Sequence, residues 1–289
     1  MRIGTAGPVA TENIVGLLGD EVSSLPKGYG GAPFLSTLIE ALIARGHDVS
    51  VYTTSSDISI HIPKPIHVQH ARFRIYYCPV RPHAIRFHEG QPGRILDGFA
   101  LEQRHLRRAI DLDQPDIVHA HWTYEFALAG LASERPCVVT VHDSPLQVLR
   151  HMPNPYRFGR LLMAICALRR ARFLTVVSPY IAEQVTRFTT VPAVVIPNPM
   201  PPLPLESAST MGRKGLQNLD KPIVAMVLNG WGRLKNPIIG LKAFSLLRSH
   251  IPGARLRLFG HDFGPGQLAE RLARARGLVA GVEFIGSVP

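Results

Sequence analysis

Up to residue 198, short apolar runs rich in β-branched residues alternate with helix-length amphipathic segments. The runs "RIGTA" (2–6), "DVSVYTT" (48–54), "DIVHAHW" (116–122), "CVVTVHD" (137–143), "FLTVVS" (173–178) and "AVVIPN" (193–198) predict strands. Helical spacing predicts helices at 32–45, 98–111, 124–133, 154–171 and 179–188. The first of these is the clearest, with Leu35, Leu38, Ile39, Leu42 and Ile43 on one face and Gly46 beyond its end. Strand and helix in alternation indicate a parallel sheet covered on both faces. Residues 57–97, rich in His, Pro and Arg, predict short strands and loops instead.

The texture then changes. "PNPMPPLPLESASTMGRKGLQNLDKP" (197–222) carries prolines and small polar residues with no core-forming period, which reads as a linker over 199–221. A second α/β pattern follows, with strands at 223–230, 255–260 and 282–286 and helices at 236–249 and 264–276. The expected organisation is therefore a first Rossmann-like domain over 1–198 and a partial second one over 222–289. Three strands and two helices make a half-built doubly wound domain with one sheet edge uncovered. Two such domains are expected to face each other across a cleft at the carboxyl ends of their strands, where ligands bind in open α/β folds.

Composition narrows the class. With 289 residues, 46% of them hydrophobic, the chain can bury two cores. Cys78, Cys137 and Cys166 have no paired spacing, which argues against a disulfide framework or a zinc site and fits a reducing cytoplasm. No apolar run reaches the ~18–20 residues of a membrane span. The net charge of +11 admits nucleic acid, an anionic membrane surface or an anionic substrate as partner. No nucleic-acid-binding signature is present, so nucleic acid ranks last. Arginines recur at helical spacing in 102–110, 156–173 and 269–278. Solvated helix faces are their commoner explanation, and contact with the inner face of a membrane is the sharper one.

The chemistry-bearing residues gather at strand ends. The loop after β-run 2–6 is long and finishes with Tyr29, Gly30 and Gly31 before a helix, where free backbone amides suit a phosphate or a sugar oxygen. A turn that simply needs positive φ is the competing account. The spacing is not G-x-G-x-x-G, and no acidic residue closes "VSVYTT", which demotes a dinucleotide-dependent oxidoreductase. His119 and His121 share one side of their strand, and His142 and Asp143 close the next. No third ligand stands at convincing spacing, so a metal is not expected; hydrogen bonding or acid/base work is. Ser178 before Pro179 is fully explained as a helix cap. In the second pattern, Arg233 and Lys235 precede a helix and suit a diphosphate, and Gly260 ends the following strand.

The order "YGGAPFLSTLIEALIARGHDVSVYT", "PDIVHAHW", "VVTVHD", "TVVSPYIAEQV", "VVIPNPM", linker, "NGWGRLKNPIIGLKAFSLLR", "PGARLRLFGHD", "VEFIGSVP" resembles the retaining GT-B glycosyltransferases of family 4 across nearly the whole chain. The resemblance implies transfer of a sugar from a nucleotide-sugar donor to a glycan or lipid-linked acceptor, with retention of configuration and without a metal or other cofactor. It implies polysaccharide or glycolipid synthesis at a cytoplasmic or inner-membrane location. By resemblance, Gly30 and Gly31 flank the donor phosphates and acceptor, His142 contacts the transferred sugar, and Arg233 and Lys235 stabilise the departing diphosphate. His121, Asp143 and Gly260 join them as substrate-binding candidates.

Two departures stand out. The family sets its arginine five residues before the lysine, where Gly230 stands here, so Lys235 is the firmer of the two. The family's Glu-x7-Glu segment and closing helix find no counterpart in 1–289, which implies a truncated second domain and a chain inactive, or nearly so, by itself. Two other classes remain open. A GT-B-like sugar-nucleotide epimerase or hydrolase would need cleft carboxylates, for which Asp143 and Asp262 are the candidates. A non-catalytic truncated fold would need none.

Overall fold

In a computed structural model, which describes residues 1–201 and 221–288, the strands legible in the sequence form close to their expected bounds. The chain divides into two compact units, Met1–Pro201 and Pro202–Pro289. The linker expected at 199–221 lies, for residues 202–220, outside the described residues.

The first unit holds β1 (Arg2–Ala6), β2 (Asp48–Ser55), β3 (Ile66–His70), β4 (Phe73–Pro79), β5 (Ile117–His121), β6 (Cys137–Val141), β7 (Phe173–Val176) and β8 (Ala193–Val195) in one sheet. Their order is β3-β4-β2-β1-β5-β6-β7-β8. All neighbours are parallel except β3, which pairs antiparallel with β4 at one edge. Strand alternation divides the core in two. Val49, Val51, Ile75 and Tyr77 face Leu35 and Ile39 of the helix Phe34–Ala44. Tyr52, Tyr76 and Cys78 face the other way, onto Leu106 and Ile110.

Four further helices cover the sheet: α3 (Ala100–Asp113), α4 (Glu125–Ala132), α6 (Pro155–Arg170) and α7 (Pro179–Val185), with α2 being Phe34–Ala44. Two features differ from expectation. The loop 7–31 contains helical turns at Thr11–Ile14, α1 (Val15–Leu18) and Gly19–Ser24, because Ile14 and Leu18 sink into the core beside Val9. A separate helix α5 (Pro145–His151) precedes α6. Ser144 caps it through the Gln147 amide at 3.4 Å, and Asn154 caps α6 through the Arg157 amide at 2.9 Å, each followed by a proline at the first helical position.

The second unit has β9 (Ile223–Val227), β10 (Arg255–Phe259) and β11 (Val282–Gly286), all parallel in the order β11-β10-β9, with α8 (Pro237–His250) and α9 (Leu268–Arg274). Its core joins Leu241, Phe244, Leu256, Leu258, Phe263 and Phe284. The opposite face of the sheet leaves Ile223, Val227 and Ile285 exposed.

Candidate active site

In the first unit the chain winds outward in opposite directions from β1 and β5, which lie side by side. Open α/β sheets bind ligands beyond the carboxyl ends of the strands at such a point. Here β1 runs out at Ala6 and β5 at His121, and β6 next to it delivers His142 and Asp143.

The two histidines meet. His121 Nδ1 and His142 Nε2 lie 3.0 Å apart, so one proton bridges two imidazoles and the tautomer of each ring dictates that of the other. Below them, His119 Nε2 is 2.6 Å from Thr140 Oγ1, itself 2.6 Å from Thr175 Oγ1, a polar ladder across β5, β6 and β7. Burial holds the rings neutral. It pushes His142 down to about 4, helped by His119 and opposed by the Asn198 side chain, and His119 to about 4. His121 is driven well below the usual range by burial and then by its two histidine neighbours. His121 Nε2 is buried without a hydrogen-bond partner. When His121 donates through Nδ1, His142 carries its own proton on Nδ1 and holds it ready for an acceptor atom.

Apolar walls frame that group. Ring centres of Trp122 and Phe34 lie 4.3 and 5.0 Å from His142. Trp122 takes φ +65, a left-handed conformation rare for a bulky residue and concentrated at ligand sites. Gly30, Gly31, Trp122, Asp143 and Arg157 border a hollow of about 190 Å³. A Cβ on Gly30 or Gly31 would meet nothing within 4 Å. Gly31, at φ +133, needs glycine for its backbone, whereas Gly30 has no such need and simply leaves the approach open. Burial raises the pKa of Asp143, outweighing the Tyr124 hydroxyl that donates to it at 3.1 Å.

A larger hollow of about 360 Å³ shares Tyr29, Glu125 and Arg160 with the first. Arg160 is the residue that reading the sequence as solvated arginine faces misses. Arg104, Arg107 and Arg108 of α3 are indeed exposed. Arg160 instead turns inward, with its guanidinium carbon 3.4 Å from the centre of the Tyr124 ring and Nη1 2.8 Å from Glu125. Burial works against its charge, but Glu125 and the surrounding tyrosines outweigh that and raise its pKa. The one hint in the sequence is the spacing of Tyr156 and Arg160, which share a helical face.

In the second unit, Arg233 and Lys235 are exposed on the loop before α8, and among the described residues neither has an ion-pair partner. That loop is tied to the one after β10: Gly230 donates to the His261 carbonyl at 3.2 Å, and His261 N to Asn229 Oδ1 at 3.1 Å. Gly260, at φ +119, has its own structural reason, since a Cβ there would sit 1.8 Å from the Leu228 carbonyl oxygen. Among the described residues no cluster of three or more His, Cys, Asp or Glu is arranged to hold a metal ion.

Solved structures share this fold at low identity. The α,α-trehalose 6-phosphate synthase of Burkholderia multivorans matches with a TM-score of 0.58 and 12% identity, over 100% of this chain and 73% of its own. An E. coli trehalose-6-phosphate protein bound with UDP-2-fluoro glucose matches at 0.59 and 10%, over 100% and 74%. A Listeria monocytogenes protein described as a UDP-N-acetylglucosamine 2-epimerase follows at 0.51 and 14%, over 100% and 69%. Curated protein sequences give no significant match. The family profile described as Glycosyltransferase Family 4 matches residues 29–202, which takes in the glycine loop, both strand-end histidines and Arg160. By that match over most of its length, on a GT-B fold, the chain belongs to Glycosyltransferase Family 4.

Proposed function

We propose that this glycosyltransferase moves a hexosyl group from a nucleotide-diphosphate sugar to a glycan or lipid-linked acceptor, with retention of configuration, in polysaccharide or glycolipid synthesis. Residues 1–198 take the acceptor side and 222–289 the nucleotide-sugar side. The observation that carries this reading is the neutral His121–His142 pair, 3.0 Å apart and packed against the Phe34 and Trp122 rings. A neutral imidazole suits a hydrogen bond to a sugar hydroxyl, and Trp122, which also borders the smaller hollow, suits the apolar face of a sugar. With its pKa near 4, His142 binds and orients at neutral pH and carries no charge.

The chemistry asked of the site is charge stabilisation. The bond from the anomeric carbon to the diphosphate oxygen breaks, the acceptor oxygen bonds to that carbon on the same face, and the acceptor's proton leaves with the diphosphate. Arg233 and Lys235, exposed and without partners among the described residues, meet the charge that develops on the departing group. Two cations in that role call for no metal. The lipid-linked option is supported by α6, where Phe158, Leu162 and Cys166 stand exposed at intervals of four, with Arg169 and Arg170 in its last turn.

Thermal-shift titration with UDP-, GDP- and ADP-sugars tests the reading. A bound donor at about 100 times its dissociation constant adds about 2.7 kcal/mol to stability and raises the melting temperature. One nucleotide family should do so, and His142→Ala and Lys235→Ala should each weaken the response. A chain indifferent to all three, or variants that respond like the parent, would refute it.

A further inference from the structure

The larger of these two hollows carries a charge that the sugar chemistry above does not use. Two arginines and one carboxylate face it: Arg94, Arg160 and Glu125. Arg160 spends Nη1 on Glu125, and Arg94 spends Nη1 on the Arg81 carbonyl. The Nε atoms of both are buried and without a hydrogen-bond partner. Both guanidinium carbons lie against the ring of Phe99, at 5.6 and 5.5 Å from its centre. Buried guanidinium donors left unsatisfied are costly, and their natural complement is an acceptor-only group such as a carboxylate or phosphate.

The rest of the lining describes what carries that anion. Tyr29 and Tyr156 bring aromatic rings to the lining, and Thr54 and Ser56 bring hydroxyls. Aromatic rings with scattered hydroxyls suit a pyranose better than a peptide or a nucleic acid base, and the volume of about 360 Å³ lies within the range of small-ligand sites. The hollow meets the smaller one, bordered by Gly30, Gly31 and Asp143, through Tyr29, Glu125 and Arg160.

The position of Arg94 is built in. Arg81 is 1% exposed and bonds Glu102 through Nε and Nη2 and Asp97 through Nη1 and Nη2. Its carbonyl accepts from Arg94, and Gly159 of α6 leaves room for Ile95, which a Cβ there would meet at 2.5 Å. The buried ion-pair group thus pins the segment 92–99 over the hollow.

Taken together, the geometry points to an acidic acceptor: a sugar bearing a carboxylate or phosphate, whose anion is bound by Arg94 and Arg160. This inference rests on the glycosyl-transfer reading for its place in the reaction, but not for the binding itself. The anion can belong to a free acidic sugar or to a lipid diphosphate carrying the sugar.

Calorimetric titration of the whole chain with glucose, glucuronate, glucose 6-phosphate and a short prenyl-diphosphate-linked glucose tests it. Glucuronate or glucose 6-phosphate binding about tenfold or more tighter than glucose is expected for a free acidic sugar. The same margin for the prenyl diphosphate alone assigns the lipid-linked source. Arg94→Gln should remove the margin, and Glu125→Gln, which frees Arg160, should widen it. Collapse of the fold would move both variants in one direction, so opposite shifts identify the electrostatic role. Equal affinity for glucose and the acidic compounds, binding by none of the four, or a margin indifferent to both substitutions would overturn the inference. Acidic-sugar binding in a chain that answers no nucleotide sugar would leave it standing and fell the donor reading instead.

Discussion

His142 shows how much a single side chain depends on its neighbours. Its Nδ1 becomes a donor only when His121 keeps its proton on Nδ1, and His121 in turn is fully enclosed. The same burial makes the site acid-sensitive. A histidine free in the unfolded chain titrates near 6.5, while His142 and His119 in the folded chain do so near 4. Between those values the unfolded state binds more protons, so stability falls as pH drops from 6.5 towards 4 and is fully present above 6.5. Urea unfolding from pH 7.5 to 4.5 should show that decline, and His119→Phe should flatten it; a midpoint unchanged across the range would contradict the burial of neutral rings.

Among the elements, α6 has three jobs on three faces. Leu161, Ala164, Ala167 and Leu168 are buried in the core, Tyr156 and Arg160 line the hollow, and Phe158, Leu162 and Cys166 are exposed. The segment entering α3 is held more rigidly than its loop character suggests, because Arg81 and the fully buried Glu102 form a pair at 2.6 Å. Breaking such a pair by removing one partner costs about 3–5 kcal/mol. Glu102→Gln should therefore lower the unfolding free energy by roughly that amount and weaken acidic-sugar binding as well. Ser178→Ala, which removes one cap bond at the start of α7, should cost only about 1 kcal/mol and leave binding alone. Equal losses from the two substitutions would contradict this ordering.

Over the whole molecule, membrane contact as proposed would draw on the net charge of +11 at long range and on the exposed stripe of α6 for apolar contact. Among the described residues no helix is long and apolar enough to cross a membrane. Sedimentation with vesicles of phosphatidylserine and phosphatidylcholine should capture the chain at low salt and release it as ionic strength rises. Phe158→Ser with Leu162→Ser should reduce capture; indifference to lipid charge would count against membrane contact.

Order along the chain determined the architecture. Apolar runs of period two and helical faces such as Leu35, Leu38, Ile39, Leu42 and Ile43 follow from local geometry, which is why the strands and most helices could be read from residue order alone. The same holds for Ser178 before Pro179, a short-range pattern that caps α7. What only the tertiary structure decided is which polar groups meet. His121 faces His142 across two strands, Arg160 leaves the solvated face for an aromatic cage, Glu102 is enclosed with Arg81, and Gly260 is required by the nearby Leu228 carbonyl. Those pairings join residues distant in sequence. Desolvation and hydrogen-bond partners, which set the charge and the donor capacity of each group, exist only once the sheet has brought them together.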